Sequence, residues 1–271
     1  MSVYGGMEMD CFMPQRALKN RFSHIPPLEV YRQRFAGVRG FFMEEAIAIW
    51  DFLLTAQRNN SVKGNFFEIG VLEGKSAGLG AAHLVDDELC ILIDIHELQQ
   101  LAQSLREISV KTLVKAGRRS DDPTVANELR EYEGTVRWFH IDGAHDGYTT
   151  TADLRLADRF LANRGVICVD DFLSPRYPQL TAAVYRFLFD NPIYRMFLCG
   201  MNKAYIARAA DYAFYEGIVK HGLPKHMRDS GYAVTLAKTS YSHDYGCFAV
   251  IERSSDFDVY GRDEDPADIP S

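Results

Sequence analysis

Short apolar runs alternate with stretches of helical period from Phe66 to Asp171. Asn65 to Ile69, Leu89 to Ile93, Thr135 to Ile141 and Val166 to Val169 are nearly unbroken in hydrophobicity, the pattern of parallel strands covered on both faces. Ser76 to Val85, Leu98 to Ile108 and Thr149 to Leu161 between them read as helices. Phe41 to Arg58 precedes them, with Phe42, Ala46, Ile49, Trp50, Leu53 and Leu54 at helical spacing and Asn59-Asn60 as its end. Val110 to Val114 adds a short strand, and Ser120-Asp121-Asp122-Pro123 offers an N-cap for a helix from Thr124 to Tyr132. Such alternation predicts an α/β chain with a doubly wound, mostly parallel, Rossmann-like sheet. Leu180 to Phe189 and Ala210 to Lys220 read as further helices. Tyr194 to Cys199, Lys203 to Arg208, Ala233 to Lys238 and Cys247 to Glu252 are expected to close the sheet with an antiparallel C-terminal edge.

Both ends of the chain depart from this pattern. Residues 1–40 are interrupted by Pro14, Pro26, Pro27, Gly37 and Gly40, and are expected to form an arm packed across the domain or a neighbouring subunit, or a lid. The main domain is placed at 41–255. Residues 256–271 carry Asp256, Asp258, Asp263, Glu264, Asp265 and Asp268 with few apolar positions, and are expected to be a flexible acidic tail. A net charge of −7 argues against a partner bound through phosphate neutralisation, such as nucleic acid. No apolar run approaches the roughly 20 residues of a membrane helix, and no signal peptide is recognisable. Five cysteines without a CxxC pair suit reduced thiols, and hence the cytoplasm. The irregular arm makes a homo-oligomer an expectation as well.

Candidate chemistry gathers where the runs end. Glu68-Ile69-Gly70-Val71-Leu72-Glu73-Gly74 turns a first strand into a helix, so that Gly70 and Gly74 let backbone approach a ligand and the helix start offers N–H groups, with Ser76 adding a hydroxyl. Asp94, ending the next strand, can accept ribose hydroxyls. A dinucleotide fingerprint would need glycine where Leu72 stands. With Glu68 ahead of the turn, S-adenosylmethionine fits better than a pyrophosphate. Asp142, Asp170 and Asp171 end two more strands, and three converging carboxylates call for a cation. Oxygen donors favour Mg²⁺, with Ca²⁺ or Mn²⁺ possible. Such an ion could chelate vicinal oxygens of a substrate, and His145 beside it is the candidate general base.

Together these residues resemble the class I S-adenosylmethionine-dependent methyltransferases, and within them the metal-dependent sugar O-methyltransferases of the macrocin and mycinamicin type and the cephalosporin-hydroxylase-like proteins. The matching pieces are Phe67-Glu68-Ile69-Gly70-Val71 with Gly74, Ser76 and Ala77, then Ile141-Asp142-Gly143 with His145, Tyr148 and Asp153, and Gly165-Val166-Ile167 with Val169-Asp170-Asp171. The resemblance implies that Glu68, Gly70, Ser76 and Asp94 line the cofactor site and that Ser120 or Asp121 touches the adenine. It also implies that Asp142, Asp170 and Asp171 hold Mg²⁺ and that His145 deprotonates the acceptor hydroxyl. Asp170-Asp171 stands where the family often carries Glu-Asp, and Tyr148 follows His145 at one residue more than in the family's tighter H-x-Y. The expected acceptor is a glycoside or polyol natural product, with aromatic residues such as Tyr177, Tyr205, Tyr241 and Tyr245 available to stack on a sugar. A catechol-type acceptor is an alternative. So are a nicotinamide-dependent oxidoreductase, which leaves the three acids without a purpose, and a non-catalytic cofactor-binding subunit.

Overall fold

The computed structural model describes residues 24–85, 87–108, 110–238 and 246–252. The acidic tail, Cys11 and most of the N-terminal arm lie outside them, as do Tyr241 and Tyr245. Among the described residues nine strands form one sheet: β1 (Asn65–Ile69), β2 (Leu89–Asp94), β3 (Lys111–Ala116), β4 (Val136–Ile141), β5 (Leu161–Val169), β6 (Tyr194–Gly200), β7 (Lys203–Arg208), β8 (Val234–Lys238) and β9 (Phe248–Glu252). Their order is β3-β2-β1-β4-β5-β7-β6-β9-β8. The first five are parallel, β7 runs antiparallel to both β5 and β6, and β8 antiparallel to β9. This is the expected doubly wound α/β sheet with antiparallel pairing confined to its C-terminal side.

Among the described residues eight α-helices cover the two faces: α1 (Pro27–Arg34), α2 (Glu44–Asn59), α3 (Lys75–Ala82), α4 (Gln99–Glu107), α5 (Pro123–Glu128), α6 (Gly147–Phe160), α7 (Pro178–Asp190) and α8 (Tyr212–Asp229). α1, α2, α3, α4 and α8 pack apolar side chains on one face, around Trp50, Phe66 and Trp138; α5, α6 and α7 pack on the other, around Phe67, Phe139 and Phe160. Strand alternation decides the division, because neighbours such as Phe66 and Phe67 point to opposite faces.

Three local expectations change. Helix α1 forms within the arm, opened by Pro27 at its first turn, and buries Val30, Tyr31 and the following Phe35. Its short length hid the periodicity; the arm from here to residue 40 is packed on the domain. Asn163-Arg164-Gly165 does not separate α6 from its strand. β5 already begins at Leu161, and the three residues are taken up where its register with β4 shifts, Arg164 adopting φ 55°. α8 also continues past Lys220, through Pro224, to Asp229.

Candidate functional site

The C-terminal ends of β1, β2, β4 and β5 share one edge, and the sequence-predicted groups all lie along it. At the glycine turn the structure revises the reasons for several residues. Gly70 (φ 79°) and Gly74 (φ 87°) are in the left-handed region, and a Cβ at Gly70 would lie 1.9 Å from the Asp142 carbonyl oxygen. At Gly74 it would lie 2.3 Å from Leu101. The Asp142 backbone and a left-handed φ therefore require glycine at position 70, and the left-handed φ favours it at position 74. Asp94 is likewise engaged: its Oδ2 accepts the N–H groups of Val71 (2.6 Å) and Leu72 (2.8 Å), and its Oδ1 that of His96 (2.7 Å). The carboxylate caps the turn and holds Leu72 at φ 52°, leaving little acceptor capacity for a ribose. Leu72 and Ile95, on either side of it, stay exposed and offer apolar surface at the mouth of the turn.

Glu68 is buried in the sheet. Its Oε1 accepts from the Ser76 hydroxyl (2.5 Å) and meets His140 Nδ1 at 2.6 Å, while Oε2 has no partner. Burial pushes this carboxyl above its ordinary range against the opposing effect of His140. A buried carboxylate oxygen left over is the acceptor that a ligand ammonium would complete.

The three acids reach the edge but divide into two overlapping groups. The ligand atoms of His140, Asp142 and Asp170 lie within 4.8 Å of one another, and so do those of Asp142, His145 and Asp171. Asp142 belongs to both, and burial raises its pKa. His145 Nε2 lies 2.8 Å from Asp171 Oδ2 and 3.7 Å from Asp142 Oδ1. The imidazole's pKa is raised by Asp142 first, against partial burial, and by Asp171, which is the nearer oxygen. Tyr177 stacks on the His145 ring at 4.3 Å, and Gln179 Nε2 donates to the His145 carbonyl (2.9 Å), so the N-terminal end of α7 fixes the histidine. One face of Tyr177 is thus covered by the imidazole, and Tyr205 lies fully in the core, where it cannot stack on a sugar. Tyr148, by contrast, is exposed.

Two residues that sequence reasoning passed over complete the cluster. The turn between β6 and β7 holds Met201 and Asn202 at positive φ. There Asn202 Nδ2 donates to Asp171 Oδ1 (2.5 Å), and the buried Lys203 ammonium pairs with Asp170 Oδ2. Burial would push Asp170 up, but Lys203 and then His140 bring its carboxyl below the ordinary value. The register contained the signal: Tyr205 opposes Cys168 and Ala204 opposes Val169, which sets Lys203 beside Asp170.

Ser120 and Asp121 lie in the loop after β3. Asp121 takes two hydrogen bonds of 2.8 Å from Arg119, and Asp122 caps α5. Ser120 approaches Asp153 without closing a hydrogen bond, and burial drives that carboxyl up to about 7. Cys90, Cys168 and Cys199 are free, buried thiols, Cys247 is buried as well, and among the described residues no helix is long and apolar enough to cross a membrane.

Residues 67–172 match the family model described as a methyltransferase domain. No curated protein matches the chain in sequence. Among solved structures, the MycE methyltransferase of the mycinamycin biosynthetic pathway, in complex with Mg, SAH and mycinamycin VI, superposes with a TM-score of 0.52 at 14% identity. The match covers 68% of this chain and 54% of MycE, so this chain spans about half of that enzyme's length. A protein from Corynebacterium glutamicum gives a TM-score of 0.52 at 17% identity, over 68% of this chain and 89% of its own. CalS11, a TDP-rhamnose 3′-O-methyltransferase of calicheamicin biosynthesis, gives 0.49 at 19% identity, over 62% and 82%. At these identities the likeness is one of fold.

Proposed function

From the methyltransferase domain at residues 67–172, we propose that this chain is an S-adenosylmethionine- and divalent-metal-dependent O-methyltransferase. Its acceptor is a hydroxyl with a neighbouring oxygen on a sugar or polyol natural product, and His145 is the general base. The reading is carried by one observation: the partnerless Glu68 oxygen, the acid cluster and His145 share one sheet edge. It gains support from MycE, whose structure holds Mg, SAH and a mycinamycin. The free thiols suit the cytoplasm.

The residues fit a methionine-type cofactor. Glu68 Oε2 lacks a donor partner that an ammonium would provide, and Leu72 and Ile95 expose apolar surface suited to a flat ring. They also fit a divalent ion. Three carboxylates and the Lys203 ammonium leave a charge of about −2, which one such ion balances while His145 stays neutral. Asp142, Asp170 and Asp171 would hold it. Once bound, the ion supplies a Lewis acid that lowers the pKa of the acceptor hydroxyl.

The chain's own groups set up the rest. Glu68, fixed by Ser76 and His140, orients the amino-acid end of the donor. Tyr177 and Gln179 keep the His145 ring facing the cluster, where its Nε2 takes the hydroxyl proton as the acceptor oxygen bonds to the methyl carbon, the carbon–sulfur bond breaks and S-adenosylhomocysteine leaves. That nitrogen is directed to Asp171 and Asp142. Release of the base thus accompanies neutralisation of the acids.

The test is methyl transfer from S-adenosylmethionine to a panel of glycosides and polyols, followed by mass spectrometry with Mg²⁺ and with EDTA. Chelator-sensitive products are expected. Products formed equally well in EDTA would remove the metal from the reading, and turnover confined to catechols would replace the acceptor class.

A further inference from the structure

His140 belongs neither to the base nor to the expected ligand set, yet its ring lies between the Glu68 carboxyl and the Asp170 carboxyl of the acid cluster. Glu68 and His140 are register partners on adjacent parallel strands, each two residues before the turn that leaves the sheet. Both side chains are completely buried. The imidazole reaches Glu68 Oε1 through Nδ1 at 2.6 Å, and its Nε2, which has no hydrogen-bond partner, faces Asp170 Oδ2 at 3.9 Å. Trp50 stands edge-on to the ring at 4.6 Å and 88°, which fixes the ring plane. Ser76, Glu68, His140, Asp170 and Lys203 thus line up from the glycine turn to the acid cluster, joined at each step except the 3.9 Å between His140 Nε2 and Asp170 Oδ2.

We infer that His140 is a positioning residue that couples occupancy of the cofactor site at Glu68 to occupancy of the cation site at Asp170. One ring faces two carboxylates, so a ligand that changes the charge or position of either acid shifts the hydrogen bond available to the other. Linkage makes the effect reciprocal: cation binding changes cofactor affinity by the same factor that cofactor binding changes cation affinity. Donor and acceptor sites would then assemble together. The inference rests on the proposed function, since it uses that reading's two ligands.

The experiment measures binding rather than turnover. Calorimetric titration of S-adenosylhomocysteine into the full chain, in EDTA and in saturating Mg²⁺, should give dissociation constants differing by about fivefold or more in the wild type. His140→Asn keeps a donor near the Nδ1 position for Glu68 and removes the Nε2 end; His140→Phe removes both. In His140→Asn the two constants should converge to within about twofold, whatever the affinity in EDTA. In His140→Phe, S-adenosylhomocysteine binding should also weaken. Coupling in His140→Asn equal to that of the wild type would overturn the inference, as would independent binding of both ligands in the wild type. Failure of the wild type to bind either ligand would instead overturn the functional reading, and the inference with it. Should His140→Phe not fold, His140→Asn alone decides between these outcomes.

Discussion

Strand β4 carries a buried charged network at each end, and the two differ in one respect. At its start, Arg137 donates to Gln57 Oε1 (3.0 Å), to the His83 carbonyl (2.9 Å) and to both oxygens of Glu88 (3.2 Å each). Glu88 also accepts from the Gly64 and Val85 amides, while Gln57 donates to the Arg137 carbonyl and Tyr215. Arg137, Gln57 and Glu88 all find partners here. At the other end of the strand Glu68 Oε2 and His140 Nε2 have none. Low dielectric makes an unpartnered buried group costly, so a closed network reads as structure and an open one as a place where something binds. Burial and charge alone do not separate the two; satisfaction does.

The sharpest test of this contrast changes the open end. Asp142→Asn, nearly isosteric, should bring chelator-sensitive methyl transfer down to background. Measured in EDTA, S-adenosylhomocysteine affinity should stay within a few-fold of wild type, and the melting temperature should not fall. Lost cofactor binding with intact Mg²⁺ binding would reverse the roles assigned to the two halves. Asp170→Ala is a poorer probe, because it would leave the Lys203 ammonium buried without a counter-charge.

His145→Ala comes next, with the chemical step slowed by about 10²–10⁴-fold in single-turnover assays and folding unaltered. Near-normal rates at every pH would mean that the cation alone activates the acceptor. At the closed end the expected loss is of stability instead. Arg137→Met strands Glu88 and should cost about 3–5 kcal/mol in denaturant unfolding, with residual activity per folded molecule unchanged. If Arg137→Met left stability intact but abolished turnover, the distinction between the ends would fail.

The smallest effect concerns Asp153, a third buried carboxyl, driven up to about 7 by burial. Its folded pKa is above the ordinary carboxylate value, so ionisation opposes folding. The penalty is absent below about pH 4, grows as pH rises toward 7, and is complete above that. Asp153→Asn should therefore raise the melting temperature at pH 8 by more than at pH 4.5. Equal shifts at the two pH values would show that Asp153 is stabilised by a partner when charged.

Much of this was legible in the chain. The apolar runs ending in Glu68, Asp94, Asp142 and Asp170-Asp171 placed acids at one sheet edge, because parallel strands share a direction. His145 follows from its distance to Asp142 along one loop. Lys203 was not legible in the same way: it is remote in sequence, on a hairpin whose antiparallel register had to be known before it could be set opposite Asp170. The same holds for the glycines. Their positions on the turn were evident, but whether a ligand or the Asp142 carbonyl filled the missing Cβ depended on strands brought together in space.

Hydrophobic period and the residues that end each run are local properties, and they alone determined the alternating α/β order, the doubly wound sheet and the acids at the strand ends. Tertiary structure decided how those acids are partnered: Asp94 with its own turn, Asp170 with Lys203, Asp171 with His145 and Asn202, and Glu68 with His140 but one oxygen short. The physical reason is range. Backbone preference acts over a few residues, whereas neutralisation of a buried charge depends on whichever strand the folded sheet sets next to it.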